Sequence, residues 1–300
     1  MNARISTAAL GRNSGRNSGR NSGRNSGRSG GPAPDAISTT VATPAATRLR
    51  ATADSEWIKF RSVRSGPAVL IATLLAMLLG AWLVGIGYRS GYTAADRASF
   101  DPGDVTLRGI VVAQLLVGAL GVITVTGEYT SGLIRGTFIA TPQRRQVLAM
   151  KALIFGGVVW VWCTVLSFGA FLVGRAFLTA PVPRVGLGDP GVLTAVFGGG
   201  LYLTGIGLFG LFLGVLLRRT AASLAALVGV MMVLPVILAL LPGKTGELIS
   251  EFSPAGAGFQ IWHLDHGGHN LGAWPGFALF AAYVAATATA AFVTIRRRDV

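Results

Sequence analysis

From residue 66 onward the chain alternates long apolar runs with short polar stretches. Six runs stand out, at residues 66–88, 109–127, 152–174, 191–217, 221–242 and 271–295, and none contains Lys, Arg, Asp, Glu or His. Each supplies the ~20 residues that cross ~30 Å of hydrocarbon at ~1.5 Å per residue, with every backbone amide satisfied inside its own helix. The pattern predicts an all-α polytopic membrane protein with six transmembrane helices. Within the spans glycine recurs at short intervals, as in Gly198-Gly199-Gly200 and Gly210-x-x-x-Gly214. Small residues so spaced let helix backbones approach in lipid, so these glycines are read as packing positions, with dimer contact as the sharper alternative. Pro235 inside the fifth run implies a kink.

The polar stretches differ in charge. Residues 128–151, 218–219 and 296–300 hold Arg135, Arg144, Arg145, Lys151, Arg218, Arg219, Arg296, Arg297 and Arg298, and Lys59, Arg61 and Arg64 precede the first run. The opposite loops offset their cations with Asp96, Asp101, Asp104, Asp189, Glu247, Glu251 and Asp265. By the excess of cations on the inner side, the first set is cytoplasmic and both termini lie inside.

The stretch from Gly127 to Lys151 is the most informative loop. Glu128, Gly132 and Arg135 fall at i, i+4 and i+7, so a helix there shows both charges on one face and would lie flat on the membrane. Thr141-Pro142 stops it and opens the next helix. Arg144, Arg145 and Lys151 then follow at the mouth of the third run, where their stems can lie in lipid and their charges reach headgroups. Glu128 beside Arg135 is also compatible with a local charge arrangement on a solvated face. Ahead of the first run, residues 54–65 interleave Trp57 and Phe60 with Lys59, Arg61 and Arg64 after an acidic start, the signature of an interfacial elbow helix.

Residues 1–53 are low in complexity, and from Gly11 to Arg28 the unit Gly-Arg-Asn-Ser recurs with no apolar residue to bury, so they are expected to be a disordered cytoplasmic tail, able to adhere to anionic inner-leaflet lipid. Composition agrees with the span pattern: 51% hydrophobic and 13% charged residues exclude a soluble globule. The formal charge of +14 sits in the tail and short loops, not on a basic domain, which argues against a nucleic-acid partner. Cys163 is the single cysteine, within an apolar run, and is read as a core residue.

Candidate chemistry is sparse. Gly243-Lys244-Thr245 imitates the end of a phosphate-binding loop, but Leu238 stands where the first glycine is needed and no strand precedes it. The chain therefore supplies no nucleotide site of its own. Spans without charge or imidazole also offer no proton relay of the kind a pump needs at mid-membrane. All three histidines fall in His263-x-Asp265-His266-x-x-His269, a spacing that could ligate zinc or copper from a flexible outer loop; the preferred reading is no metal.

Glu128-Tyr129-x-x-Gly132-x-Ile134-Arg135, then Ala140-Thr141-Pro142-x-Arg144, then Lys151, resembles the loop after the second span in actinobacterial permeases of the ATP-binding-cassette type-2 export family. The likeness runs from Glu56-Trp57 to Arg296-Arg297-Arg298-Asp299. It implies that Glu128, Tyr129, Gly132, Arg135, Pro142, Arg144 and Lys151 form a coupling helix that docks on a separate ATPase subunit. It further implies a plasma-membrane assembly with two ATPase copies and a second permease copy or paralogue. ATP and Mg would be held by the ATPase, with no cofactor on this chain. Glu247, Glu251 and Pro254 would belong to an extracytoplasmic gate that dips into the outer leaflet between the fifth and sixth spans. Lipids, polysaccharides and drug-like amphiphiles are the family's substrates. Two other expectations compete: a non-transporting membrane anchor or immunity protein, and an intramembrane enzyme, whose nucleophile and base have no evident residues here.

Overall fold

A computed structural model describes residues 65–91, 93, 101–130, 144–178, 185–241, 244–264 and 271–297. The tail, the elbow residues Trp57, Lys59, Arg61 and Arg64, the loop residues Gly132, Arg135 and Pro142, and Asp265, His266 and His269 lie outside the described residues. Among the described residues all regular structure is helical: α1 Ser65–Gly91, α2 Pro102–Leu107, α3 Ile110–Thr130, α4 Arg144–Phe177, α5 Val192–Leu217, α6 Thr220–Val228, a π turn Gly229–Val233, α7 Leu234–Ala239, α8 Lys244–Phe252, α9 Pro254–Phe259 and α10 Ala273–Arg297. Six stretches are long and apolar enough to cross a membrane, with α6, the π turn and α7 running on as one.

Two of the six form the centre. In their most apolar stretches α3 and α5 bury 61% and 67% of residues, whereas the other four bury between 17% and 28% and turn apolar side chains such as Leu75, Leu153, Val236 and Trp274 outward. Glycine makes the pairing of α3 with α5 possible. A Cβ on Gly210 would run into the Gly118 carbonyl, and one on Gly121 into the Gly207 carbonyl, so these backbones touch with nothing between them. Gly200 brings α5 equally close to Thr164 of α4. The glycine spacing thus packs this chain against itself.

Several ends differ from the apolar runs. α3 continues three residues beyond Gly127, and α4 starts about two turns before residue 152. At ~1.5 Å per residue the 34 residues of α4 extend ~51 Å, more than a hydrocarbon layer requires. Its first turns therefore carry Arg145 and Lys151 as helix and not as loop. Pro235 does disturb the fifth span, but as a widened turn: the Leu234 amide bonds to the Gly229 carbonyl, and Pro235 sits in the first turn of α7. Widening moves the preceding carbonyls away from a ring that would clash with the one four residues back.

Tight joints fix the ends. α5 stops at Arg218, a non-glycine residue in the left-handed region with φ 54°, whose amide bonds to the Gly214 carbonyl. Ser223 then ties α6 back by donating to the carbonyl of Arg219. Between α8 and α9, Ser253 breaks the helix: its oxygen accepts from the Gly256 amide at 3.1 Å and its hydroxyl donates to the Ser250 carbonyl at 2.6 Å. Pro254 occupies the first turn of α9, and Gly258 lies directly on the rings of Tyr202 and Phe280.

Candidate functional site

At one end of the bundle the last turn of α3 meets the first turns of α4 and the α5–α6 joint. Thr124, Thr126 and Thr130 donate to carbonyls four residues back, keeping α3 helical through Gly127. Glu128 and Tyr129 thereby belong to the span itself. The flat helix expected to begin at Glu128 does not begin there; residues 131–143 lie outside the described residues. Lys151 departs from its expected role as well. It is 7% exposed and turns inward, its Nζ 2.7 Å from Glu128 Oε1. The physical reason is position: two turns inside α4, Lys151 stands level with Glu128, and either charge buried alone would cost several kcal/mol. Glu128 is paired across helices, so its expected arrangement on a solvated face gives way to a buried one.

Two further contacts close this end. Thr220 donates to Thr126 Oγ1 at 2.9 Å, linking α6 to α3. The Arg218 guanidinium sits 5.5 Å from the centroid of the Tyr129 ring, a cation held over a π face. Its Nε and Nη2 are buried and meet no hydrogen-bond partner among the described residues. Sequence reasoning used Arg218 only as an inner-side cation, because nothing local signals that a helix-ending arginine will reach an aromatic ring almost ninety residues earlier. Arg144 opens α4, and Arg145 is exposed beside it.

The middle of the bundle is uncharged. Its strongest polar contact joins α5 to α3: Tyr202 donates to Gln114 Oε1 at 2.6 Å, with both side chains buried. Phe259 and Phe280 ring Tyr202 at centroid distances of 5.5 and 5.1 Å, so this hydrogen bond is walled off by aromatic carbon.

The opposite end is organised by Asp101. This carboxylate caps α2 by accepting from the Gly103 amide at 2.7 Å, and it also accepts from the Leu264 amide and meets His263 Nδ1 at 3.0 Å. Segments 162 residues apart are thus joined through one side chain. Burial raises the Asp101 carboxyl, but His263 and the two amides outweigh it and hold it below the ordinary 3.8. Asp104 moves the other way: burial raises it although Arg108 lies 2.6 Å away. His263 is the described member of the histidine cluster, and its partner is a carboxylate from another loop. Among the described residues no group of three or more His, Cys, Asp or Glu is placed to hold a metal.

A carboxyl depressed in the folded state adds stability that is present above the unfolded value and lost as pH falls through the folded one. Asp101→Asn removes that dependence. At neutral pH the variant should be less stable by roughly 1–3 kcal/mol, because three donors lose a charged acceptor. Below about pH 4 the gap to wild type should narrow. Thermal unfolding in detergent from pH 7 down to pH 3 checks both statements.

Of the expected gate residues, Glu247 is exposed on α8, and Glu251 accepts from the Leu271 amide at 2.6 Å, fastening α8 to the segment that leads into α10. Pro254 starts α9, as above. Lys244, Glu247, Leu248, Glu251, Phe259 and His263 contribute to the wall of a cavity of about 1000 Å³. No protein-family model matches the chain, and no curated protein matches it.

Proposed function

We propose that the chain is the membrane-spanning permease subunit of a type-2 ATP-binding-cassette exporter, moving its substrate across the plasma membrane with ATP hydrolysed by a separate subunit. The observation that carries this reading is the Glu128–Lys151 ion pair. It clamps the ends of α3 and α4 on either side of residues 131–143, the loop whose sequence resembles a coupling helix. Force applied to that loop would enter α3 and α4 together, and α3 shares its glycine contact with the central α5. The absence of a phosphate-binding loop in the sequence supports a partner as the source of energy.

In this reading the Glu128 end faces the cytoplasm, with both termini on that side and the arginine tail against anionic lipid. Two ATPase subunits, carrying ATP and Mg, dock on two copies of the loop, one from this chain and one from a second copy or a paralogue. Gly132, Arg135, Pro142 and Arg144 would meet the ATPase. Glu128 and Lys151 would act from behind them, holding the loop's two roots at a fixed separation.

Purification from the native membrane tests the proposal. The chain is expected to co-purify with an ATPase, and Arg135→Ala and Arg144→Ala are expected to reduce ATP turnover at least several-fold while leaving the unfolding midpoint in place. A chain that is recovered without any ATPase would overturn it and favour a non-transporting anchor.

A further inference from the structure

The cavity at the Asp101 end sits between α7, α8 and α9, at the opposite end of the bundle from Glu128. At about 1000 Å³ it is at the upper end of the range for small-molecule sites. Its wall combines two chemistries. Glu247 and Glu251 are one helical turn apart on α8 and present carboxylates to the same space, with Lys244 the only Lys or Arg among its described wall residues. His263 is already engaged by Asp101, a carboxylate outside the described wall residues, at 3.0 Å. Among the described wall residues the carboxylates outnumber Lys and Arg two to one.

The second chemistry is apolar. Leu248 and Phe259 line the cavity, and α8 also carries exposed Ile249 and Phe252, near exposed Val236 and Ile237 of α7 and Leu240 just after it. Such a surface on a spanning helix belongs against acyl chains. The Glu247 carboxylate thus stands beside a lipid-facing apolar strip, the arrangement that receives a cation carried on a hydrocarbon body. A bare metal ion is a poorer fit, since no metal-holding group exists among the described residues.

The geometry points to a binding site for amphiphilic organic ammonium compounds, with Glu247 as the principal counter-charge and Leu248 and Phe259 as the seat for the apolar body. Resting on the permease reading, this names the substrate class and makes the cavity the last station before release. Glu251 holds the wall in place through Leu271, whereas Glu247 is exposed on the cavity wall with no ion pair among the described residues.

The full chain in dodecyl maltoside micelles, which carry no ammonium headgroup, provides the test, with a fluorescent dodecylammonium probe. Saturable binding is expected, displaced by dodecyltrimethylammonium and not by dodecanol. Glu247→Gln should weaken it about tenfold and Glu247→Asp should restore most of it, both at an unchanged unfolding midpoint. Equal affinity in Glu247→Gln, equal competition by dodecanol, or no saturable signal would each overturn the site. Nanodiscs containing phosphatidylethanolamine separate the sources: loss of probe binding there identifies a lipid headgroup, and retention identifies a free amphiphile, both as ammonium ligands. Because no ATPase is present, a chain that binds the probe but never co-purifies with an ATPase loses the permease reading and keeps the site. A chain with an ATPase and no probe binding loses only the site.

Discussion

Lys151→Met, with Glu128 left in place, is expected to lower stability by about 3–5 kcal/mol, the cost of stranding a buried carboxylate. The two side chains are 8% and 13% exposed, so water can do little to compensate. Glu128→Leu should cost a similar amount, because it strands the ammonium in turn. The double variant Glu128→Leu with Lys151→Met is expected to recover most of the loss, since replacing both charges removes the desolvation penalty along with the attraction. Thermal unfolding of the four proteins gives the coupling energy directly. Coupling near zero would mean that the pair is hydrated and that α3 and α4 are not clamped. If the permease reading holds, the apolar double variant should also transmit less ATP-driven motion than its stability would suggest, because a directional contact has become a greasy one.

Gly210→Val is expected to abolish folding outright. The new side chain would need the space occupied by the Gly118 carbonyl, and a backbone in the middle of a packed span cannot withdraw as a flexible side chain can. Gly121→Val should behave the same way against Gly207. The contrast is Gly127→Ala, where nothing lies within 4 Å of the added carbon. That variant should be neutral or gain up to ~1 kcal/mol from helix propensity. Yield and monodispersity on size-exclusion chromatography distinguish the two classes. A well-behaved Gly210→Val protein would refute the direct contact of α3 with α5.

Much of the span architecture is legible in the chain because hydropathy is a local property. The six apolar runs become six helices, and Gly210-x-x-x-Gly214 does pack helices together. What local pattern does not carry is the identity of the partner. Gly118 and Gly121 on α3 look no different from other span glycines until α5 lies across them. Lys151 follows two arginines in the same short basic stretch, and only the length of α4 reveals that it points inward. The joining of Asp101 to His263 leaves no trace in either local sequence, and the histidine spacing suggests only a flexible outer loop that could ligate a metal. Pro235 announced a disturbance, and the widened turn that absorbs it depends on carbonyl crowding that no residue pattern encodes. Arg218 ends its helix in a conformation usually left to glycine, which a propensity argument would not select.

The burial of α5 between its neighbours also bears on biosynthesis. α3 and α4 leave the ribosome before it, so a growing chain cut off after Leu217 already contains every glycine contact of α5 with them. The later helices then close over an assembled heart, and an error in the first four spans would be sealed in place by the last two.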